Sequence, residues 1–314
     1  MTDTQIGIVL PQTGVAPGEL LTFAREVESL GYRHLLGYDH VVGADPVVHE
    51  GWGGAYDVDN TFHEPLTTFA YLAGVTALEL ITSVLILPQR QTVLVAKQAA
   101  QVDLLSGGRL TVGVGVGWNQ VEYEALGVDF ADRGKRLDEQ IELLRRLWTE
   151  RSVSFSGRFH TVTGAGLAPL PSRSIPVFVG GSSPAALRRA GQTADGWFPL
   201  QWLAVRSEPA PAAFRDMPPV EEALAAIAKA AREAGRDRSD IEIHSQARYF
   251  GDPQEVFDQV EAWRGHGATR VSVNTLGAEF TTAEEHLAAL ADIAQQLGLS
   301  DRSTTTAKTK EPSS

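Results

Sequence analysis

Apolar positions along the chain follow two periods in turn. Short β-branched runs read as strands: Gln5–Gln12, His34–Val41, Leu80–Leu87, Ile175–Val179, Asp195–Leu200, Ile241–Arg248 and Arg270–Leu276. Between them, apolar residues recur every three to four positions, as on one face of a helix: Pro17–Leu30, a helix from Pro65, Gln91–Leu105, Arg133–Trp148, Pro184–Gly191, Glu221–Ala234, Pro253–Arg264 and Thr281–Leu297. One further strand has its own pattern. In Ser106–Trp118 (SGGRLTVGVGVGW), Val112, Val114 and Val116 alternate with Gly113, Gly115 and Gly117. Strict alternation of strand and helix predicts parallel strands joined by helical crossovers. Eight such units in a chain of this length close a barrel, so the expected fold class is α/β, a (β/α)8 TIM barrel with inserted loops. Residues 1–299 are expected to form one domain, and 300–314 (SDRSTTTAKTKEPSS) a disordered tail with nothing to bury.

Three segments interrupt the alternation. Ser152–Thr163 reads as a small hairpin, and Gln201–Pro219 is proline-rich and aperiodic. Residues 43–63 lack periodicity but carry Trp52, Tyr56 and Phe62, and long aromatic loops of this kind in compact domains are usually functional.

In a barrel of this type the site lies at the carboxyl ends of the strands, which makes the strand-end residues the candidates. His40 is the best titratable one, because imidazole exchanges protons near neutrality. Asp39 beside it points to the other strand face, so the two do not pair by adjacency. The glycines of the Val-Gly strand have two readings: close packing inside the barrel, or a smooth face against which a flat cofactor lies. Gly180, Gly181 and Ser182 open the helix at Pro184 and resemble an anion-binding helix start. The aromatics Trp52, Trp197, Phe198, Trp202 and Tyr249 are candidates for lining an apolar substrate pocket.

Composition removes several classes. The chain has 314 residues, a net charge of −12 and no cysteine. Disulfides and thiolate sites are excluded, and nucleic acid or an anionic membrane is not an expected partner. No apolar run approaches membrane-spanning length and no signal pattern opens the chain, so a soluble, cytoplasmic protein is expected. The histidines show no metal-ligand spacing, so no metal site is expected.

Two long blocks resemble a known family. They are LILPQRQTVLVAKQAAQVDLLSGGRLTVGVGVGWNQVEYEALGVDFADRGKRLDEQIELLRRLW and PVFVGGSSPAALRRAGQTADGWFP, and the likeness extends from about Ile6 to Leu297. They resemble the luciferase-like monooxygenase superfamily, within it the actinobacterial oxidoreductases that use the deazaflavin coenzyme F420. The resemblance implies a barrel that binds F420 or a flavin at its strand ends. It implies a non-prolyl cis peptide at Ser83-Val84 behind the cofactor ring, and contacts to the cofactor from Asp39, Gly115, Gly117, Trp118, Gly180, Gly181 and Ser182. Asp39-His40 is similar to the sugar-phosphate dehydrogenases of that branch, in which the equivalent histidine lies near the hydride-transferring carbon. The chain departs from them at Trp118, where they have a catalytic glutamate, and it has no sugar-phosphate lysine cluster. The expected activity is hydride transfer between F420 and a small organic substrate over the ring, with His40 donating or holding a proton. Two alternatives stay open: an FMN-dependent two-component monooxygenase on the same fold, and a non-catalytic flavin-binding protein. A homodimer, and a separate reductase supplying reduced cofactor, are expected by resemblance alone.

Overall fold

The protein is described from a computed structural model, which covers residues 4–200 and 217–299. Most of the proline-rich loop expected over Gln201–Pro219, with Trp202, and the whole of the expected tail lie outside the described residues. In chain order the strands are β1 (Gln5–Val9), β2 (His34–Gly37), β3 (Glu79–Ile86), β4 (Leu110–Gly115), β5 (Val153–Ser156), β6 (Thr161–Ala165), β7 (Val177–Gly180), β8 (Gly196–Phe198), β9 (Glu242–Arg248) and β10 (Arg270–Asn274). Eight of them form a closed parallel barrel in the order β1-β10-β9-β8-β7-β4-β3-β2, with β2 pairing back onto β1. The other two, β5 and β6, are the antiparallel hairpin expected outside it.

The helices are α1 (Leu20–Ser29), α2 (Pro65–Leu72), α3 (Thr92–Leu105), α4 (Gln120–Ala125), α5 (Arg133–Thr149), α6 (Pro184–Thr193), α7 (Val220–Glu233), α8 (Pro253–Gly265) and α9 (Ala283–Leu297). Their starts are written in the chain. Glu64, Ser183 and Asp252 each precede a proline, and each accepts a hydrogen bond from a first-turn N–H, which satisfies an otherwise orphaned donor.

Parallel strands are buried on both faces, and the core accordingly falls into two parts. A large outer cluster packs the helices on the sheet. A small inner one, Val9, Leu36, Ile81, Phe178 and Phe198, fills the barrel, with Tyr38, Val84 and Leu276 above it. Strand glycines make room for large neighbours here. A Cβ on Gly113 would lie 2.4 Å from the Phe198 ring, one on Gly196 2.4 Å from Phe178, and one on Gly7 2.2 Å from His34. Gly113 is therefore a packing glycine. Low in the barrel His34 and His244 both hydrogen-bond the Ser272 hydroxyl, each at 2.8 Å. Burial, with Arg270 adding, pushes the His34 imidazole down to about 3; burial, with His34 and Arg270 adding, holds His244 well below its ordinary value.

Two elements depart from expectation. The second strand stops at Gly37 rather than Val41, because the N–H groups of Val41 and Val42 turn to a side chain of α4 instead of a neighbouring strand. That helix itself, between the Val-Gly strand and Arg133, is not among those the periodicity predicts.

Candidate active site at the carboxyl ends of the strands

The Val-Gly strand β4 ends at Gly115, and Asn119 then caps α4 by accepting hydrogen bonds from the N–H groups of Val121 and Glu122. This places Glu122 at the third helical position. A glutamate there often folds back to close a capping box. Here the side chain leaves the helix and reaches the end of β2. Its Oε1 accepts from Val41 N–H and, at 3.4 Å, from Val42 N–H, while Oε2 accepts from Gln89 Nε2 at 3.0 Å. The same Oε2 lies 3.4 Å from His40 Nδ1. The Glu122 side chain is 1% exposed and that of His40 12%. Burial pushes the Glu122 carboxyl up, but the bonds from His40, Gln89 and Val41 outweigh it and hold the carboxyl below its usual range. An anionic carboxylate thus faces Nδ1, which leaves Nε2 as the ring nitrogen available to the cavity that His40 lines.

Asp39 serves another connection. Its Oδ2 accepts from Ile86 N–H at 2.8 Å, and its Oδ1 pairs with Arg90 Nη2 at 2.7 Å. Arg90 continues to Glu64, 3.1 Å away, which caps α2. Burial outweighs the Arg90 charge and leaves the Asp39 carboxyl above its usual range. Asp39 and His40 face different partners, as expected, although both lie beyond the end of β2.

The long loop folds its aromatics onto His40. Ring centroids of Phe62, Tyr56 and Trp118 lie 4.7, 5.2 and 5.7 Å from the imidazole, and Trp52 packs on Trp118 at 5.8 Å. Trp52 is held in turn by its indole N–H to the Tyr56 carbonyl at 3.0 Å. Between this loop, His40 and Asn119 lies a cavity of about 520 Å³, within the usual size range of small-molecule sites.

A second wall is built around Val84. The Ser83-Val84 peptide is cis, and the β3–β4 register shifts between Thr82 and Leu85. Val84 is wedged between two strand-end glycines: a Cβ on Gly115 would lie 2.4 Å from Val84 Cγ2, and one on Gly180 2.6 Å from Val84 Cγ1. Gly117, with φ +66°, lies against Ile86 in the same way. From Gly180 the chain runs through Gly181, at φ +112°, and the buried Ser182 into α6, whose positive dipole end lies at the strand ends while Ser183 takes the Ala186 N–H.

The family model described as luciferase-like monooxygenase matches residues 4–255. The chain belongs to the luciferase-like monooxygenase family. An uncharacterized protein of Mycobacterium tuberculosis is 44% identical over 137 residues, 43% of this chain and 47% of that protein. The F420-dependent glucose-6-phosphate dehydrogenase of Nocardia farcinica is 29% identical over 212 residues, 64% of this chain and 60% of that one. The FMNH(2)-dependent dimethylsulfone monooxygenase of Pseudomonas putida is 35% identical over 148 residues, 46% and 40% of the two chains. The chain thus spans about half the length of the curated relatives it matches. The crystal structure of monooxygenase RslO1 from Streptomyces bottropensis has the same fold, with a TM-score of 0.73 at 21% identity over 94% of this chain and 98% of that one.

Within this luciferase-like barrel the structure gathers some of the sequence candidates and disperses others. His40, Trp52 and Trp118 lie together, and Val84, next to Ser83, joins Gly115 and Gly180, with Gly117 against Ile86 and Gly181 and Ser182 leading into α6. Trp197 does not join them. It is fully buried in the outer cluster, with its indole N–H donated to the Gly181 carbonyl at 2.8 Å. Its neighbour Phe198 points inward, since adjacent strand residues face opposite ways, and it packs beside Phe178 and His244 below the mouth. Tyr249 belongs to the outer cluster beside Phe280, away from His40. The Ser182 hydroxyl accepts from Leu200 N–H at 3.3 Å.

Sequence reasoning missed Glu122, although Asn119-x-x-Glu122 is a helix-start signal that would have placed it. It also missed a polar wall across the mouth. Tyr38 donates to Gln246 Oε1 at 2.8 Å, and Asn274 Nδ2 donates to both Tyr38 and Gln246 at 3.0 Å. Burial, with Tyr56 adding and Arg248 opposing, pushes the Tyr38 hydroxyl up to about 12. Arg248, one step higher on the same face of β9, is shifted below its ordinary value by burial.

Proposed function

We propose that this chain is an oxidoreductase that transfers a hydride between coenzyme F420 and a small organic substrate, with His40 as the proton-handling group. The observation that carries this reading is the His40–Glu122 pair at the strand ends, Glu122 buried and His40 packed by Tyr56, Phe62 and Trp118. A carboxylate on Nδ1 fixes the tautomer and orientation of the ring. Nε2 can then hold or release a proton at the substrate. The aromatic loop packs over the ring, with His40 lining a cavity between it and Asn119.

The strand-end wall around Val84 suits a flat ring with an anionic tail. Val84, seated in the Gly115–Gly180 cradle, is a platform a Cβ at either glycine would displace, and the α6 start turns its positive dipole end toward a phosphate. When bound, the deazaflavin supplies the hydride chemistry; the residues named orient the partners and move the proton. A relative named as F420-dependent supports this choice of cofactor. The 35% identity to an FMNH(2)-dependent monooxygenase supports a second reading, in which FMN occupies the same wall and a separate reductase supplies it reduced.

Titration of the purified protein with F420 and with FMN, followed by fluorescence, separates the two. Binding of F420 with little or no binding of FMN is expected, and tight FMN binding without F420 overturns the first reading. With cofactor bound, His40→Ala is expected to leave binding intact and slow single-turnover hydride transfer by roughly 100-fold. An unchanged rate removes His40 from the chemistry.

A further inference from the structure

The polar wall across the mouth has a direction built into it. Leu276 N–H, a backbone donor with only one sense, gives its hydrogen to Asn274 Oδ1 at 3.0 Å. That leaves Asn274 Nδ2 as the end facing inward, where it donates to Gln246 Oε1. Tyr38 donates to the same oxygen. The Gln246 oxygen is therefore taken twice, and the orientation of its amide follows from the backbone rather than from a choice between two equivalent flips. The other end, Nε2, makes no hydrogen bond among the described residues, and Gln246 is partly exposed. Gln246 stands between His244 and Arg248 on the inward face of β9, above the apolar floor of the barrel. It thus presents two N–H groups, locked from behind, to the space at the strand ends.

We propose that Gln246 is a specificity-determining residue that receives an acceptor oxygen of the substrate, a ketone or carboxylate oxygen, through its Nε2 hydrogens. The proposal rests on the oxidoreductase reading only in taking this mouth as the substrate's place. A preorganised donor favours such ligands because no side chain must be reoriented when they bind. The same arrangement disfavours ammonium groups, which bring donors against donors.

The test uses three probes of one shape: cyclohexanone, cyclohexanecarboxylate and cyclohexylammonium. Their affinities are measured by ligand-observed NMR on the full chain, wild type and Gln246→Glu. The substituted carboxylate still accepts from Tyr38 and Asn274, so the wall keeps its shape while its open end changes from donor to acceptor. Cyclohexanone and cyclohexanecarboxylate are expected to bind wild type and to weaken by roughly fivefold or more in the variant, while cyclohexylammonium gains. The carbonyl stretch of carbon-13 cyclohexanone is expected to shift to lower frequency on binding wild type, and this reading needs no variant to fold. Equal affinity of wild type for all three probes, failure of the two acceptor probes to bind wild type, or a bound carbonyl stretch like that in hydrocarbon solvent each overturns the proposal. If neither F420 nor FMN binds, the redox reading fails while the probe result stands.

Discussion

The two buried histidines low in the barrel give the protein a predictable weakness toward acid. Both imidazoles are held neutral, His34 with a pKa near 3 and His244 well below 6.5, while each titrates at about 6.5 in an unfolded chain. Because the folded-state values are depressed, the unfolded state binds more protons below 6.5. Stability is then complete above that pH and falls as the pH drops toward the folded values. Between pH 6 and 5 an unfolded histidine holds about nine-tenths of a proton that its folded counterpart lacks. Each therefore removes about 1 kcal/mol over that step, roughly 2 kcal/mol for the pair. His34→Gln together with His244→Gln removes both titrations and keeps amides able to meet Ser272. Urea unfolding followed by tryptophan fluorescence at pH 7, 6 and 5 provides the comparison. Wild type is expected to lose roughly 2 kcal/mol more than the double variant between pH 6 and 5, and each single variant about half of that difference. The histidines and carboxylates elsewhere are common to all four proteins and cancel. Parallel pH dependence of wild type and double variant would refute the assignment of neutral buried imidazoles.

Further outcomes follow from the site. Glu122→Gln keeps an acceptor for Val41 N–H but removes the charge beside His40, so hydride transfer is expected to slow roughly tenfold or more with cofactor affinity unchanged. Stopped-flow single turnovers beside a binding titration check this, and a loss confined to binding would contradict it. Asp39→Asn leaves Arg90 only partly paired in a largely buried setting and is expected to cost about 3 kcal/mol of stability by chemical denaturation. Gly115→Ala drives a Cβ into Val84 and is expected to cost about 1–3 kcal/mol and to weaken F420 or FMN binding. Adding Val84→Ala makes room for the new methyl, so the double variant should recover stability while cofactor binding stays weak, which calorimetry and titration can separate.

Much of the fold is legible in the chain because parallel strands and amphipathic helices leave different periods, and proline after Glu64, Ser183 or Asp252 marks where helices begin. The site is legible where one residue suffices. His40 and the loop aromatics stand out by type. Relations across the barrel do not. The Tyr38, Gln246 and Asn274 group depends on β2, β9 and β10 bringing their inward faces together when the sheet closes, and no local pattern encodes that. Glu122 depends on a side chain leaving its own helix cap for a strand end 81 positions earlier, at Val41. Trp197 shows the converse: its type suggested a pocket, but the inward partner on that strand is Phe198. Of the two readings open for the β4 glycines, the contacts show close packing, with Gly113 making room for Phe198 and Gly115 seating Val84.

The Glu122 carboxylate holds the backbone at residues 41 and 42 with one oxygen and faces the His40 ring with the other. The hinge at which residues 43–63 leave the barrel and the ring they cover therefore share one fastening. Loop exchange among such barrels is a common route to new substrates, and here the exchangeable part begins only after Val42. A transplanted loop joined earlier would bring its own backbone to α4 and shift the imidazole with it; joined later, it could vary in length and composition while the imidazole stayed in place.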